Sequence, residues 1–190
     1  MVGHAMRVLI GCEESGVVRR AFNGRGHCAV SCDLVSSRDN SDGHLQMDIM
    51  KAIECYSWDL IILHPPCTHI AVSGNRWYAG TQLRESAIEW TVALWERAKL
   101  NAQRVCLENP VGLKIPGIAP QWVQPWQFGH PETKKTGLWL HNLPPLEPTD
   151  TVEPTKARIW RMPPGPNRAR DRSTTFLGIA DAMAAQWGDL

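Results

Sequence analysis

The stretch Asp59-Leu60-Ile61-Ile62-Leu63-His64-Pro65-Pro66-Cys67 constrains this chain more than any other. Residues 59–63 run apolar without alternation, the pattern of a parallel strand covered on both faces. Two prolines then lack backbone donors and hold φ at about −65°, so sheet pairing stops and a stiff loop begins. A buried parallel strand needs parallel neighbours joined by crossover segments, so the rest of the chain must supply them.

Such neighbours are legible. Arg7-Val8-Leu9-Ile10 is a short β-branched run, Val17 to Phe22 has helical spacing, and Cys28 to Cys32 reads as a second strand closed by Asp33. Val35 to Gly43 reads as loop, Leu45 to Asp48 as a short strand and Met50 to Cys55 as a helical turn. Leu83 to Leu100 predicts a helix with Ile88, Val92, Trp95 and Ala98 on one side. Arg104-Val105-Cys106-Leu107 predicts a strand ending at Glu108-Asn109-Pro110; after it, Pro-rich sequence reaches Pro125. Thr136 to Leu140 reads as a late strand and Ile179 to Trp187 as a closing helix. Alternating strands and helices predict an α/β fold with a mostly parallel sheet flanked by helices. At 190 residues the expectation is a single domain over 1–190.

Composition excludes several classes. With 43 % hydrophobic and 21 % charged residues, wholesale disorder is excluded. A net charge of +1 argues against a protein that coats nucleic acid, while leaving room for a local basic patch. No apolar run approaches the ~20 residues of a membrane span, and Met1 to Ala5 lack a signal-peptide pattern. The six cysteines, at 12, 28, 32, 55, 67 and 106, are dispersed without a CxxC pair, which argues against a zinc ribbon or a disulfide framework. A reducing, cytoplasmic setting is expected.

In open α/β sheets, ligands sit beyond the carboxyl ends of the strands. The polar residues ending the strands here are Glu13 and Glu14, Asp33, Asp48, His64 to Cys67, and Glu108-Asn109. They are expected to crowd one rim. Asp33, about twenty residues after the first turn, suits ribose hydroxyls. Glu13 and Glu14 stand where a pyrophosphate needs bare amides, and two carboxylates repel phosphate. A nucleoside cofactor with positive groups, S-adenosylmethionine, fits better; alternatively, these acids only start a helix and close a turn. Cys67 has three readings: nucleophile, metal ligand in His64-x-x-Cys67-x-His69, or packing cysteine; the metal reading lacks a fourth ligand. Glu108 in a partly apolar rim is expected to have a raised pKa and to donate a proton to a ring nitrogen, or else merely to end a strand.

These motifs, in this order, resemble the DNA (cytosine-5) methyltransferases. Ser15-Gly16 with Ala21-Phe22 and Gly26 resembles the cofactor-binding opening motif. Asp33 and Asp48 match the acids that hold the cofactor, and Pro65-Pro66-Cys67 with Ser73-Gly74 resembles the nucleophile loop. Glu108-Asn109 matches the catalytic Glu-Asn pair, Phe128 to Lys134 is similar to the Gly-x-Pro-Gln-x-Arg motif, and Gly178-Ile179-Ala180 with Ala182-Met183-Ala184 resembles the closing motif.

The resemblance implies a Rossmann-like class I S-adenosylmethionine-dependent methyltransferase. It implies catalytic roles for Cys67, Glu108, Asn109 and Lys134. It implies a cofactor site of Glu14, Ser15, Gly16, Asp33, Leu34, Asp48, Ile49, Pro65 and Ala180, with no metal. Cys67 attacks carbon-6 of a flipped cytosine, Glu108 protonates ring nitrogen 3, and carbon-5 takes the methyl group.

The sequence also departs from the pattern. Cys-Glu-Glu-Ser-Gly replaces a Gly-rich turn, His64 the Gly before Pro-Pro, Thr68 the Gln after the nucleophile, Glu132 the later Gln and Thr136 the second Arg. Fewer than fifty residues separate Thr136 from the closing motif, so a short basic, Pro-rich segment at about 145–172 stands in place of a target-recognition domain. That points to a compact phage or prophage type, in a bacterial cytoplasm, with short or relaxed specificity. The segment carries Lys156, Arg158, Arg161, Arg168, Arg170 and Arg172 with Trp160 among them. Double- or single-stranded DNA is the expected partner, contacted through Arg158, Arg161, Arg168, Arg170 and the loop residues Arg76 and Trp77. The bland reading of both stretches is solvated loop. Alternatives are a weak or inactive DNA-binding relative, or an RNA or free pyrimidine nucleotide substrate. An amino methyltransferase fits less well, because its Asp/Asn/Ser-Pro-Pro-aromatic loop differs at both His64 and Cys67. A monomer and a dimer are both compatible with the sequence.

Overall fold

The computed structural model describes residues 4–190, apart from the side chain of Trp160. Most of the leader reading, and the aromatic of the basic segment, therefore lie outside the described residues.

Seven strands form one sheet: β1 (Arg7–Gly11), β2 (Cys28–Asp33), β3 (His44–Gln46), β4 (Trp58–Leu63), β5 (Ala102–Pro110), β6 (Gln121–Val123) and β7 (Thr136–His141). Their spatial order is β3-β2-β1-β4-β5-β7-β6. β1 to β5 pair in parallel, whereas β7 runs antiparallel to both β5 and β6. Among the described residues the α-helices are α1 (Val17–Asn23), α2 (Ile49–Cys55), α3 (Asn75–Tyr78), α4 (Gln82–Asn101), α5 (Arg158–Arg161), α6 (Arg168–Ser173) and α7 (Leu177–Trp187).

β4 shows why its sequence is apolar throughout. Leu60 and Ile62 face one core with Val8, Ile10, Phe22, Met183 and Trp187, where α1 and α7 cover the sheet. Ile61 and Leu63 face the other, with Leu9, Ile53, Leu94, Trp95 and Trp139, where α2 and α4 pack. Burial on both faces removes any reason to alternate. Thr81 caps α4 by accepting from Arg84 N, and its buried stripe is Thr91, Leu94, Trp95 and Ala98. Ile88 and Val92 flank this stripe, so the helix is turned slightly from the predicted face.

β6 was not foreseen within the Pro-rich run; it forms an edge by pairing with β7. α3 stands where a loop is expected, and α5 and α6 form within the short basic, Pro-rich segment expected at about 145–172. The late motif and the closing helix meet at Gly178. A Cβ there would lie 1.9 Å from the Phe128 carbonyl oxygen, so only glycine allows this approach. The Gly178 amide also donates to His130 Nε2 at 3.0 Å.

No helix among the described residues is long and apolar enough to cross a membrane.

Candidate active site

The chain first winds away from β1 through β2 to β3, then returns to place β4 on the other side of β1. This reversal opens a crevice beyond the carboxyl ends of β1 and β4. A cavity of about 780 Å³ occupies it, lined by Cys12 to Ser15, Asp33, His64 to Thr68, Trp77, Glu108 and Lys134.

One end is acidic. Gly16, at φ 68°, precedes α1 and has no side chain to cap it. Glu13 does so instead: its Oε1 accepts from Val18 N at 3.0 Å and from Ser15 Oγ at 2.8 Å. Glu13 thus has the helix-start role, yet it is buried on the cavity wall with Oε2 lacking a hydrogen-bond partner. Glu14 is ion-paired with Arg38 at 2.7 Å and Arg170 at 3.2 Å. Asp33 ends β2 on the same wall. Burial, with Asp33 nearby, pushes the Cys32 thiol up to about 12 and the Cys12 thiol higher still, so both stay protonated.

The other end holds the thiol and the second carboxylate. His64 N donates to Gly11 O at 2.9 Å, clamping the end of β4 to β1. Pro65 is buried, and its carbonyl accepts from Asn109 Nδ2 at 3.1 Å. The Cys67 carbonyl accepts from Ile70 N at 3.0 Å and Ala71 N at 2.8 Å. The nucleophile loop is therefore fixed on both sides of the half-buried Cys67. Parallel pairing of Leu63 with Leu107 brings the next residues, His64 and Glu108, side by side. His64 Nδ1 lies 3.2 Å from Glu108 Oε2.

The electrostatics reverse one expectation. Burial pushes the Glu108 carboxyl up, but the His64 hydrogen bond, the Lys134 charge and the Thr136 hydroxyl outweigh it and hold it below the usual glutamate range. Glu108 is a carboxylate at rest, not the raised acid that an apolar rim predicts. Burial and the Glu108 charge push the Cys67 thiol up, with Lys134 and Arg172 only partly opposing.

The basic segment turns over the cavity rather than away from it. Arg168, Arg170 and Arg172 line it, as do Thr174 and Thr175 just before α7. Arg38 ties this wall down by donating to Thr174 Oγ1 at 2.9 Å and to Arg170 O at 2.8 Å. Arg168 Nε donates to Met162 O at 2.8 Å. Arg158 does not line the cavity: its amide donates to Glu132 Oε2 at 3.0 Å and its Nε lies 3.5 Å from Oε1. Arg161 is exposed outside the cavity. Trp77, 66 % exposed, stands at the cavity wall, with the Arg76 guanidinium 5.8 Å from its ring centre.

Of the site residues expected from sequence, the cavity brings together Glu14, Ser15, Asp33, Pro65, Cys67, Trp77, Glu108, Lys134, Arg168 and Arg170. The others sit elsewhere for clear reasons. Gly16 starts α1, and exposed Asp48 caps α2 through Met50 N at 2.7 Å. Leu34 is exposed beside the cavity, while Ile49 and Ala180 are core residues on opposite faces of the sheet. Asn109 is fully buried under the loop that it holds. Arg38 carries no motif signal in the sequence, and Arg172 belongs to the basic segment without being singled out as a site residue. His69 packs edge-on against Tyr78, and among the described residues no group of three or more His, Cys, Asp and Glu side chains is placed to hold a metal.

No family model and no curated protein matches the sequence. Solved structures do match. A candidate DNA modification methyltransferase encoded within an E. coli prophage aligns at TM-score 0.52 and 13 % identity, over 78 % of this chain and 52 % of that one. The Entamoeba histolytica methyltransferase EhMeth aligns at TM-score 0.52 and 13 % identity, over 80 % and 57 %. A triple mutant of Spodoptera frugiperda DNMT2 aligns at TM-score 0.51 and 15 % identity, over 79 % and 57 %. This chain spans between half and three-fifths of the length of each. What it shares with them is a Rossmann-like α/β fold.

Proposed function

We propose that this protein is an S-adenosylmethionine-dependent cytosine-5 methyltransferase acting on DNA through a covalent Cys67 intermediate. One observation carries the reading: Cys67 and Glu108, delivered by adjacent strands, line one cavity together with Lys134.

The acidic end fits the cofactor. The unpartnered Glu13 Oε2 suits its positive amino and sulfonium groups, and Asp33 suits its ribose hydroxyls, while the Glu14 carboxylate is held by Arg38 and Arg170. When bound, S-adenosylmethionine supplies an electrophilic methyl group.

The resting charges give a balanced proton account. Cys67 holds a proton and Glu108 lacks one. As the Cys67 sulfur bonds to carbon-6 of cytosine, its proton passes to Glu108, and Glu108 gives it to ring nitrogen 3. Carbon-5 would then be the nucleophile towards the methyl group that bound S-adenosylmethionine supplies, with S-adenosylhomocysteine as the leaving group. Water removes the carbon-5 proton, the sulfur–carbon bond breaks, and the ring-nitrogen proton returns through Glu108 to Cys67. Lys134 steadies the carboxylate and the departing thiolate by charge.

Asn109 positions the Cys67 loop in this reading. Arg168, Arg170 and the exposed Trp77 hold nucleic acid at the mouth, and the 145–172 segment serves the single domain in place of a recognition domain. That this segment walls the cavity also favours a second reading, RNA or a free pyrimidine nucleotide as the substrate.

Incubation with methyl-labelled cofactor tests the proposal. Label should enter cytosine of double- or single-stranded DNA and disappear with Cys67→Ala. Transfer to RNA or free nucleotide alone selects the second reading, and transfer to none rejects both.

A further inference from the structure

His64 places a polar, nearly closed-off ring directly against the second carboxylate. The two side chains are 7 % and 13 % exposed, with Nδ1 and Oε2 3.2 Å apart. His64 cannot drift from this position. Its backbone amide is held by Gly11 O, and the residue after it is the buried Pro65. Its other ring nitrogen, Nε2, is buried without a hydrogen-bond partner. The ring is therefore spent on one contact, with Glu108.

We propose that His64 is a positioning residue that acts through Glu108: by engaging Oε2 it fixes the orientation in which the carboxylate meets the pyrimidine. This rests on the reading of Glu108 as the group that meets the base. An unrestrained carboxylate rotates and offers either oxygen, whereas a reacting group held in one orientation keeps its proton path short. The contact also helps keep Glu108 ionised, and so able to receive the Cys67 proton. The other polar groups acting on this carboxyl are Lys134 and Thr136; the Cys67 and Cys106 thiols feel its charge in turn.

The test pairs His64→Leu, which keeps bulk without a donor, with His64→Asn, whose amide reaches roughly where Nδ1 lies. Glutamate labelled with carbon-13 gives a carboxylate infrared band, assigned to Glu108 by its loss in Glu108→Gln. The Glu108 titration should move up in His64→Leu and return towards the wild-type position in His64→Asn. Methyl transfer should show kcat lowered about 10²-fold in His64→Leu with KM within about twofold, and largely recovered in His64→Asn. An unmoved Glu108 titration, or unchanged kcat in His64→Leu, overturns the inference. If wild type transfers no methyl group, the proposed function fails, and the infrared titration alone decides the role of His64. Should His64→Leu not fold, His64→Ala is read in the same way.

Discussion

Asn109 Nδ2 donates to the Pro65 carbonyl oxygen at 3.1 Å, tying the end of β5 to the loop that carries Cys67. Both groups are buried, so nothing else satisfies that carbonyl. Asn109→Ala should cost about 1–3 kcal/mol by urea denaturation. Because the loop also loses its tether, kcat should fall by about tenfold or more, with a smaller change in KM. Unchanged stability would show that the carbonyl finds another partner.

The thiol and the carboxylate should respond to each other. Cys67 is pushed up by burial and by Glu108, and Lys134 partly opposes this. Alkylation by iodoacetamide follows the thiolate, so at pH 8 it should quicken at Cys67 in Glu108→Gln and slow in Lys134→Ala. Peptide mapping separates Cys67 from the exposed Cys28 and Cys55. Equal rates in all three proteins would mean that the groups do not share a field.

The loop before β3 is a second, structural electrostatic centre. Asp39 accepts from Arg19 at 2.8 Å and 2.6 Å and also binds Arg20 and Ser37. Burial opposes the charge, but the Ser37 and arginine contacts hold its pKa down to about 2. A folded value below the unfolded one adds stability above the unfolded pKa, and that stability is lost as pH falls towards 2. Asp39→Asn should cost about 1–2 kcal/mol at pH 7, discounted for partial exposure, and little near pH 2. A pH-independent difference in urea midpoints would contradict this.

Trp77 is too exposed to matter for folding. Trp77→Ala should leave the thermal midpoint within about a degree while weakening single-stranded DNA binding by about 1–3 kcal/mol, the range for one stacked base. Fluorescence anisotropy measures the loss, and unchanged affinity would place the nucleic acid elsewhere.

Much of this architecture was legible because burial on two faces leaves a plain mark in sequence. Residues 59–63 could hardly be anything but a central strand, and the polar residues ending β1, β2, β4 and β5 reach one crevice because parallel strands end on the same side. Contacts set by register were not legible. That Asn109 holds Pro65, and that His64 meets Glu108, depends on Leu63 pairing with Leu107. The sign of the Glu108 shift depends on residues from three separate segments, His64, Lys134 and Thr136. The basic segment reads from sequence as a nucleic-acid contact, but its place over the cavity is not legible, because Arg38, in a Ser- and Asp-rich loop with no motif, is what ties it there. Short helices such as α3 and α5 have too few turns to show a period.

Mass spectrometry after reaction with cofactor and DNA containing 5-fluorocytosine tests the central claim most directly. Fluorine at carbon-5 cannot leave as a proton does, so the intermediate is trapped after methyl transfer. The account predicts a stable adduct whose mass includes the methylated base, mapping to Cys67 and absent in Cys67→Ser. Methyl transfer without any protein–DNA adduct, or an adduct on another cysteine, would contradict it.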